Sequence, residues 1–192
     1  MNKKLIYSLV GLALIFFITS LFIFLRSGSG SKKVTPGPSK NTSGEESIES
    51  SIIDVKAFFF IESSRFMRPV PHEIELTGIK EACYRQFIEL LIKGEENYIS
   101  PVPEGVRLRG LYFVRNKNML VVDFSEELIR KFPGGSSAEL EFIYFIVDNI
   151  CYNFKEIKKV KFLVSGNEYR TLSGHIDFEN SFYPDYSYLR DD

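Results

Sequence analysis

The residues best suited to chemistry in this chain are few and widely separated. His72 and His175 are its two histidines, and neither has a cysteine or carboxylate at the spacing of a metal-binding motif. The acidic pairs at 126–127 and 177–179 offer carboxylates for acid–base catalysis, but acidic pairs in turns are ordinarily solvated side chains. The sequence also has no glycine-rich phosphate loop and no nucleophile elbow. It therefore predicts neither an enzyme nor a metal or cofactor site.

The two cysteines, Cys83 and Cys151, have two interpretations. They fall near the start of one predicted helix and the end of another, and if those helices run antiparallel both thiols lie at the same end of the helical layer. A disulfide is then geometrically feasible and would be favoured in an oxidising compartment. Both residues also lie on apolar stripes, where an unpaired cysteine packs as a small hydrophobic side chain. Both interpretations stay open.

The elements that position these residues begin after a long apolar run. Residues 5–25 contain no charged side chain, and a helix of that length covers the hydrocarbon core of a bilayer, about 30 Å. The run is longer than the apolar region of a typical cleaved signal peptide, so residues 1–26 are predicted to form an uncleaved transmembrane signal anchor. We expect a single-pass protein of the cytoplasmic membrane with its C-terminal part extracytoplasmic.

A change of composition follows the predicted anchor. Residues 27–50 are dominated by serine and glycine and contain no aromatic side chain, which is typical of a flexible linker. Residues 1–50 carry six Lys and Arg against three Asp and Glu, whereas residues 51–192 carry 18 against 22. The mildly acidic remainder lacks the basic surface that nucleic-acid binding requires, so no nucleic-acid partner is expected.

Residues 51–180 show a regular alternation of periods. The apolar run at 54–61 predicts a central strand, and the apolar positions that begin at Ile79 recur at helical spacing, with Thr77 as cap and Gly94 as stop. Ser136 and Glu139 form a capping-box pattern before a second helix. The predicted elements are strand 54–61, short edge strand 73–77, helix 79–93, a hairpin of strands 106–114 and 119–124, helix 136–154 and strand 159–164. This order predicts an α+β fold, a split β-α-β-β-α-β sandwich with two helices on one face of a mainly antiparallel sheet.

Several ordered blocks carry a resemblance to a known family. They are PVPEGVRL from Pro101, LVVDFSEEL from Leu120, GSSAELEFIYFIVDNI from Gly135, VKFLVSGN from Val160 and SGHIDF from Ser173. Together they resemble the GerMN domain, which is named for sporulation and spore germination, over residues 54–178. The resemblance implies an envelope domain outside the cytoplasmic membrane whose fold is similar to the ring-building modules of secretion and sporulation channels. Unlike the tandem members, this chain has one copy, and a membrane helix stands where a lipidated cysteine would be.

The leading functional hypothesis is a membrane-anchored interaction or assembly module of the cell envelope. Its expected partners are the lipid bilayer, through the N-terminal helix, and envelope proteins or further copies of itself. A second hypothesis is a module that binds cell-wall glycan or peptide, with peptidoglycan as the partner. An envelope hydrolase is the third, and it lacks a visible nucleophile and base. The aromatic tail, residues 181–192, either packs over the sheet or docks a partner.

Overall fold

The computed structural model describes residues 51–62, 64–76 and 78–190. They form a mixed α+β fold of six strands and three α-helices within these ranges. The strands are β1 (Ser51–Phe60), β2 (Met67–Leu76), β3 (Leu108–Val114), β4 (Met119–Phe124), β5 (Lys159–Val164) and β6 (Ser181–Phe182). The helices are α1 (Lys80–Lys93), α2 (Glu127–Arg130) and α3 (Ser136–Asn153). The α+β class predicted from the sequence is confirmed.

The strands form two sheets instead of the single sheet that the sequence predicted. β1 pairs only with β2, antiparallel over ten residue pairs from Ser51↔Leu76 to Phe60↔Met67. The second sheet has the order β3-β4-β5-β6, in which β4 and β5 run parallel and the other neighbours antiparallel. The prediction that β1 is a central strand is therefore wrong. The apolar run of β1 is buried by a helix. The hydrophobic pattern of the sequence does not show whether such a run is buried by a helix or lies between neighbouring strands.

The first long helix begins and ends near its predicted bounds. Gly94 ends α1 with φ 76°, and its N–H bonds to the carbonyl of Leu90, as a helix stop should. Ile79 occupies the N-cap position and is 64% exposed, so its prediction as part of the buried stripe is wrong. Thr77, the predicted cap, lies outside the described residues. The buried side chains of α1 are Cys83, Tyr84, Phe87, Ile88 and Leu91.

The predicted capping box of the second long helix does not form. Gly135 is the N-cap of α3, with φ 95°, and no side chain caps this end. The Glu139 carboxylate instead turns to a distant loop, described below, and is fully buried. The predicted hairpin does form, and in its turn Asn118 adopts the left-handed conformation, with φ 45°, that asparagine tolerates.

α3 contacts both sheets and contributes seven buried apolar side chains to the core. On its flank toward the first sheet, Phe145 lies with its ring centroid 5.6 Å from that of Phe59. One turn earlier, Phe142 contacts Phe124 of β4 and Phe162 of β5, at 5.7 and 5.8 Å. Because a helix buried on nearly all sides has no polar stripe, its few polar residues need partners inside the protein.

The C-terminal segment packs against the body of the domain. Phe182 of β6 pairs with Val160 of β5, and farther along Leu189 forms a bridge to Met67 of β2. Between these points the segment crosses α3, where Tyr188 stacks on Tyr144 at 5.3 Å between ring centroids. Residues 181–190, which we call the strap, therefore connect the two sheets over the outer side of α3.

Candidate interaction surface

The free edge of β1 is covered by two asparagines of α3. Asn149 accepts a hydrogen bond from the Phe58 N–H at 2.7 Å and donates to the Phe58 carbonyl at 2.9 Å. Asn153 forms the same pair of bonds with Lys56, at 2.9 and 2.8 Å. Four residues of a helix rise about 6.0 Å, which is close to the rise of about 6.8 Å over two residues of a strand. Helix side chains at positions i and i+4 therefore reach alternate residues along one edge of a strand. Each amide supplies the donor and acceptor that a neighbouring strand would supply.

The remaining outward position at this end of β1 is also paired. The Phe60 N–H donates to the Ile99 carbonyl at 3.3 Å, and the Ile99 N–H donates back at 2.8 Å. Toward its beginning, β1 is uncovered at Ile52, which is 63% exposed, and at Asp54. A charged residue on a strand edge discourages pairing with another strand, and this is where the chain enters the domain.

The free edge of β2 is covered by a glutamine side chain, by two prolines and by a backbone hydrogen bond from the strap. The Gln86 amide of α1 accepts from the Glu75 N–H at 3.2 Å and donates to its carbonyl at 3.0 Å. Pro69 and Pro71 have no backbone N–H. They lie opposite Phe58 and Lys56 of β1, whose backbone N–H and C=O groups point away from β2. At the far end, the Arg190 N–H of the strap donates to the Met67 carbonyl at 3.0 Å.

The second sheet has a short edge and a long one. β6 is only two residues long, which is itself a way of limiting an edge. The other edge strand is β3, with seven residues. The Ser165 N–H donates to the Phe124 carbonyl, so the backbone of Phe124 turns toward β5, and alternation turns Val121 and Asp123 toward β3.

The same alternation fixes which groups of β3 face outward. Tyr112 pairs with Val121, so its backbone turns toward β4, and the backbone groups of Leu111 and Phe113 turn away from the sheet. No hydrogen bond from the described residues reaches them. Their side chains are half-buried, whereas Tyr112 is 60% exposed and lies across Gly110. We call the stretch Leu111–Phe113 the open edge.

Three arginines flank the open edge. Arg107, Arg109 and Arg115 have side chains that are 75%, 47% and 79% exposed. Arg109 sits at a register shift in the β3–β4 ladder, where a β-bulge ends regular pairing. Their nearest carboxylates, Glu127, Asp123 and Glu81, lie 3.8, 4.0 and 3.8 Å away. The open edge and the three arginines beside it together form the candidate interaction surface.

Two buried acidic residues of α3 serve the interior: Glu139, which the sequence assigned to a capping box, and Asp148, which sequence reasoning overlooked. Glu139 of α3 accepts hydrogen bonds from the backbone N–H groups of Ser173 and Ile176, both at 2.6 Å, and from the Ser173 hydroxyl at 2.5 Å. Burial raises the pKa of Glu139, but these hydrogen bonds outweigh it and hold the pKa below its ordinary value. This carboxylate is an anchor for the loop that follows β5.

Asp148 is the second buried carboxylate of α3. Its Oδ1 accepts from the Asp185 N–H of the strap at 2.8 Å, while Oδ2 has no hydrogen-bond partner among the described residues. Burial raises its pKa to about 8. The surrounding groups are tyrosines and Cys151, whose pKa burial raises to about 12, and no cation lies within ion-pair distance in the described ranges. Asp148 holds the strap against α3.

The histidines and acidic pairs singled out in the sequence are not brought together. His72 Nε2 lies 3.1 Å from Glu95 Oε2, a pairing that the sequence concealed because the two residues are 23 positions apart. Asp177 accepts from the Glu179 N–H at 3.0 Å, so this pair shapes its own turn. Glu127 contacts Arg107 and Arg130. Within the described ranges, no three His, Cys, Asp or Glu side chains are placed to hold a metal ion.

Cys83 and Cys151 are buried and free in the structure. The Cys83 thiol donates to the Glu75 carbonyl at 3.4 Å, whereas Cys151 lies beside Asp148 and Tyr186. A disulfide between them and packing as unpaired thiols are the two predictions, and intact-mass measurement with and without reductant distinguishes them.

The predicted membrane span lies outside the described residues. In the part of the chain that the structure does describe, from residue 51 onward, no helix has the length and apolar character needed to cross a bilayer.

Comparison with known proteins places the domain in a family. Residues 57–170 match the family described as Germane, sporulation and spore germination, which is more than half of the 192-residue chain. No curated protein matches the chain.

Several solved structures match part of the chain. One is a candidate lipoprotein from Clostridium perfringens, with 18% identity, a TM-score of 0.48, and coverage of 69% of this chain and 87% of that one. Another is the tandem GerMN domains of the sporulation protein GerM from Bacillus subtilis, at 15% identity and a TM-score of 0.49. The match covers 68% of this chain and 46% of that structure. The first GerMN domain of the same protein matches at 15% identity, with a TM-score of 0.46 and coverage of 66% and 97%.

Proposed function

The chain belongs to the Germane (GerMN) family of sporulation and spore germination domains, and we propose that it is a membrane-anchored interaction module of the cell envelope. The single observation that carries this proposal is the open edge of β3. Long exposed edges invite pairing with other chains, and natural proteins normally cover them. Here asparagine, glutamine, proline and strap residues cover most of the first sheet's edges. Leu111–Phe113 is left uncovered by the described residues.

The proposal assigns binding to this domain, not catalysis. Of the carboxylates that might have acted as acid or base, Asp177 accepts the Glu179 N–H and Glu127 contacts Arg107 and Arg130. A membrane anchor at residues 1–26 and a linker at 27–50 would hold the domain outside the cytoplasmic membrane and within reach of envelope partners.

Photo-crosslinking in intact cells tests the proposal. A photoreactive phenylalanine analogue replaces Tyr112 in the full-length chain, and the control carries it at Tyr183. The two side chains are 60% and 62% exposed, so they differ in position and not in accessibility. We expect crosslinked envelope protein, or a second copy, from position 112 and much less from position 183. Equal capture, or none, at position 112 would contradict the proposal.

A groove beside the strap favours binding to cell-wall polymer as a second candidate function. Arg65, Phe66, Ser187, Tyr188 and Arg190 line a cavity of about 330 Å³. The Arg190 guanidinium lies 3.7 Å from the Phe66 ring centroid, and Arg65 lies 5.3 Å from it. Neither arginine pairs with a carboxylate of the described residues. Cations around an aromatic ring suit the carboxylates and sugar rings of peptidoglycan.

Co-sedimentation of the full-length chain with purified sacculi tests this second candidate. Arg65→Ala should release the protein into the supernatant, while Arg85→Ala, on the exposed side of α1, should leave sedimentation unchanged. Sedimentation that is identical for both variants would exclude the groove as the site.

A further inference from the structure

We infer that the open edge of β3 accepts an extended strand of another protein that carries carboxylates at both ends. This inference rests on the proposed function and names the chemistry of the partner. Leu111 and Phe113 turn their backbone donors and acceptors outward, so an added strand would continue the sheet beyond β3. Their half-buried side chains would lose more exposed surface when that strand docks.

The arginines determine the charge of the partner. Charge-assisted hydrogen bonds between arginine and carboxylate are about 2.7–2.9 Å long. The carboxylates nearest to Arg107, Arg109 and Arg115 lie 3.8–4.0 Å away, and none of the three donates a side-chain hydrogen bond to a described residue. These contacts are ion pairs that are longer than hydrogen bonds, so the guanidinium N–H groups can still donate to an incoming carboxylate.

The positions of the arginines fix where the partner's carboxylates lie. Arg109 lies at the bulge near the start of β3, and Arg115 follows Val114, the last residue of β3, in a short 3-10 turn. A partner strand with an acidic residue at each end would therefore place one carboxylate near each arginine. Apolar or β-branched residues between them would lie against Leu111 and Phe113.

A second copy of the same chain fits this edge poorly. An antiparallel pair of β3 strands with its twofold axis at Leu111 places Arg107 opposite Arg115 of the other copy. Moving the axis to Tyr112 places Arg109 opposite Arg115. Like charges directly opposite each other destabilise strand pairs, so either arrangement opposes self-pairing. An acidic strand from a different protein meets no such repulsion.

Hydrogen exchange on the full-length chain in detergent micelles tests the inference. The probe is the synthetic peptide Glu-Thr-Val-Thr-Val-Thr-Glu, capped at both ends. Strand addition should slow exchange of the Leu111 and Phe113 amides, which turn outward, and leave Tyr112, already paired with β4, unchanged. Binding without protection of those two amides would overturn the inference, as would absence of binding at millimolar peptide.

Charge variants of the peptide and of the protein test the charge that we assign to the partner. Replacing both glutamates by glutamine should weaken binding, and replacing both by lysine should abolish it. Arg115→Ser should weaken binding of the acidic peptide by about fivefold, the effect of losing one exposed ion pair. Arg85→Ser, which removes an arginine of α1 paired with Glu89, should have no effect. Equal affinity for acidic and basic peptides would overturn the charge assignment.

The two proposals fail in different ways. Crosslinking from position 112 in cells together with no peptide protection would retain the interaction module and reject the acidic strand. Crosslinking to a second copy through Tyr112 would likewise reject it. If position 112 captures nothing in cells, the proposed function itself fails.

Discussion

At the scale of single residues, Asn149 and Asn153 replace a neighbouring strand for β1. The sequence contained a signal for them, since two asparagines four residues apart interrupt an apolar helical run. Such residues must face a partner when the helix is buried, but the sequence does not show which backbone they meet. The Phe58 partner lies 91 residues away along the chain. Glu139 was also singled out in the sequence, but it was assigned to the capping box with Ser136. That pattern is local, whereas the actual partners of Glu139, at Ser173 and Ile176, lie in a distant loop.

Asn149→Ala should lower the free energy of unfolding by roughly 2–4 kcal/mol, because it leaves the N–H and carbonyl of Phe58 buried and unpaired. Urea denaturation monitored by circular dichroism measures the change. The matched control is Asn167→Ala, which removes an exposed bond to the Ser165 carbonyl and should cost less than about 1 kcal/mol. Equal losses in the two variants would refute the role given to Asn149.

Asp148 makes stability depend on pH in the neutral range. Its pKa rises from 3.8 to about 8 because of burial, so between these values the folded protein holds a proton that the unfolded chain has released. The free energy of unfolding therefore falls as pH rises through this window. Tyr186 and Cys151 nearby titrate above it, with pKa values raised to about 12.

Asp148→Asn should remove this dependence and make the protein more stable than wild type at pH 8, with a smaller difference at pH 5. Urea denaturation at both pH values provides the measurement. A wild-type stability that stays constant or rises from pH 5 to pH 8, with the same slope in Asp148→Asn, would show that this carboxylate does not control it. Glu139 acts in a separate window, since its lowered pKa contributes stability that is lost only as pH falls below the ordinary range of glutamate.

At the scale of elements, periodicity predicted the parts whose partners are local. Both long helices and the β3–β4 hairpin were confirmed, because their spacing and turn residues are read within a short window. β2 was predicted too short, since Pro69 and Pro71 are typical of breaks and here lie on an unpaired edge. β1 was assigned as a central strand because the asparagines that cover its free edge lie 91 and 97 residues away along the chain. The open edge of β3 is recognised only once every other edge has been assigned.

The strap is the element whose removal should separate the two sheets. Ending the chain after Phe182 would remove Leu189, which is 9% exposed, and the Arg190 bond to Met67. It would also expose Asp148 and Tyr144 of α3. We expect a loss of roughly 2–5 kcal/mol in the free energy of unfolding, the range for deleting one large buried side chain. Tyr183→Ala, at a side chain that is 62% exposed, is the control and should be nearly neutral.

Hydrogen exchange distinguishes the strap's role from a general loss of stability. In the shortened chain, the amides of β1 and β2 should exchange faster than those of β4 and β5. Uniform acceleration across all four strands would indicate that the strap stabilises the domain without joining its sheets.

At the scale of the whole molecule, the buried native thiols permit a direct test of topology. Cys83 and Cys151 are 2% and 3% exposed, so a maleimide that does not cross membranes should leave wild-type protein unlabelled in intact cells. Asn116→Cys places a thiol in the exposed turn between β3 and β4. We expect this variant to be labelled in intact cells. Labelling only after lysis would contradict an extracytoplasmic domain.

The antiparallel pairing of β1 with β2 has a mechanical consequence. The ten residue pairs of the hairpin lie side by side, and Asn149 and Asn153 tie the opposite edge of β1 to α3. A pull applied at Ser51 along the axis of β1 therefore loads these bonds in shear, all at once, instead of opening them one after another. Such a force would reach β2 through the hairpin pairing and α3 through the two amide side chains.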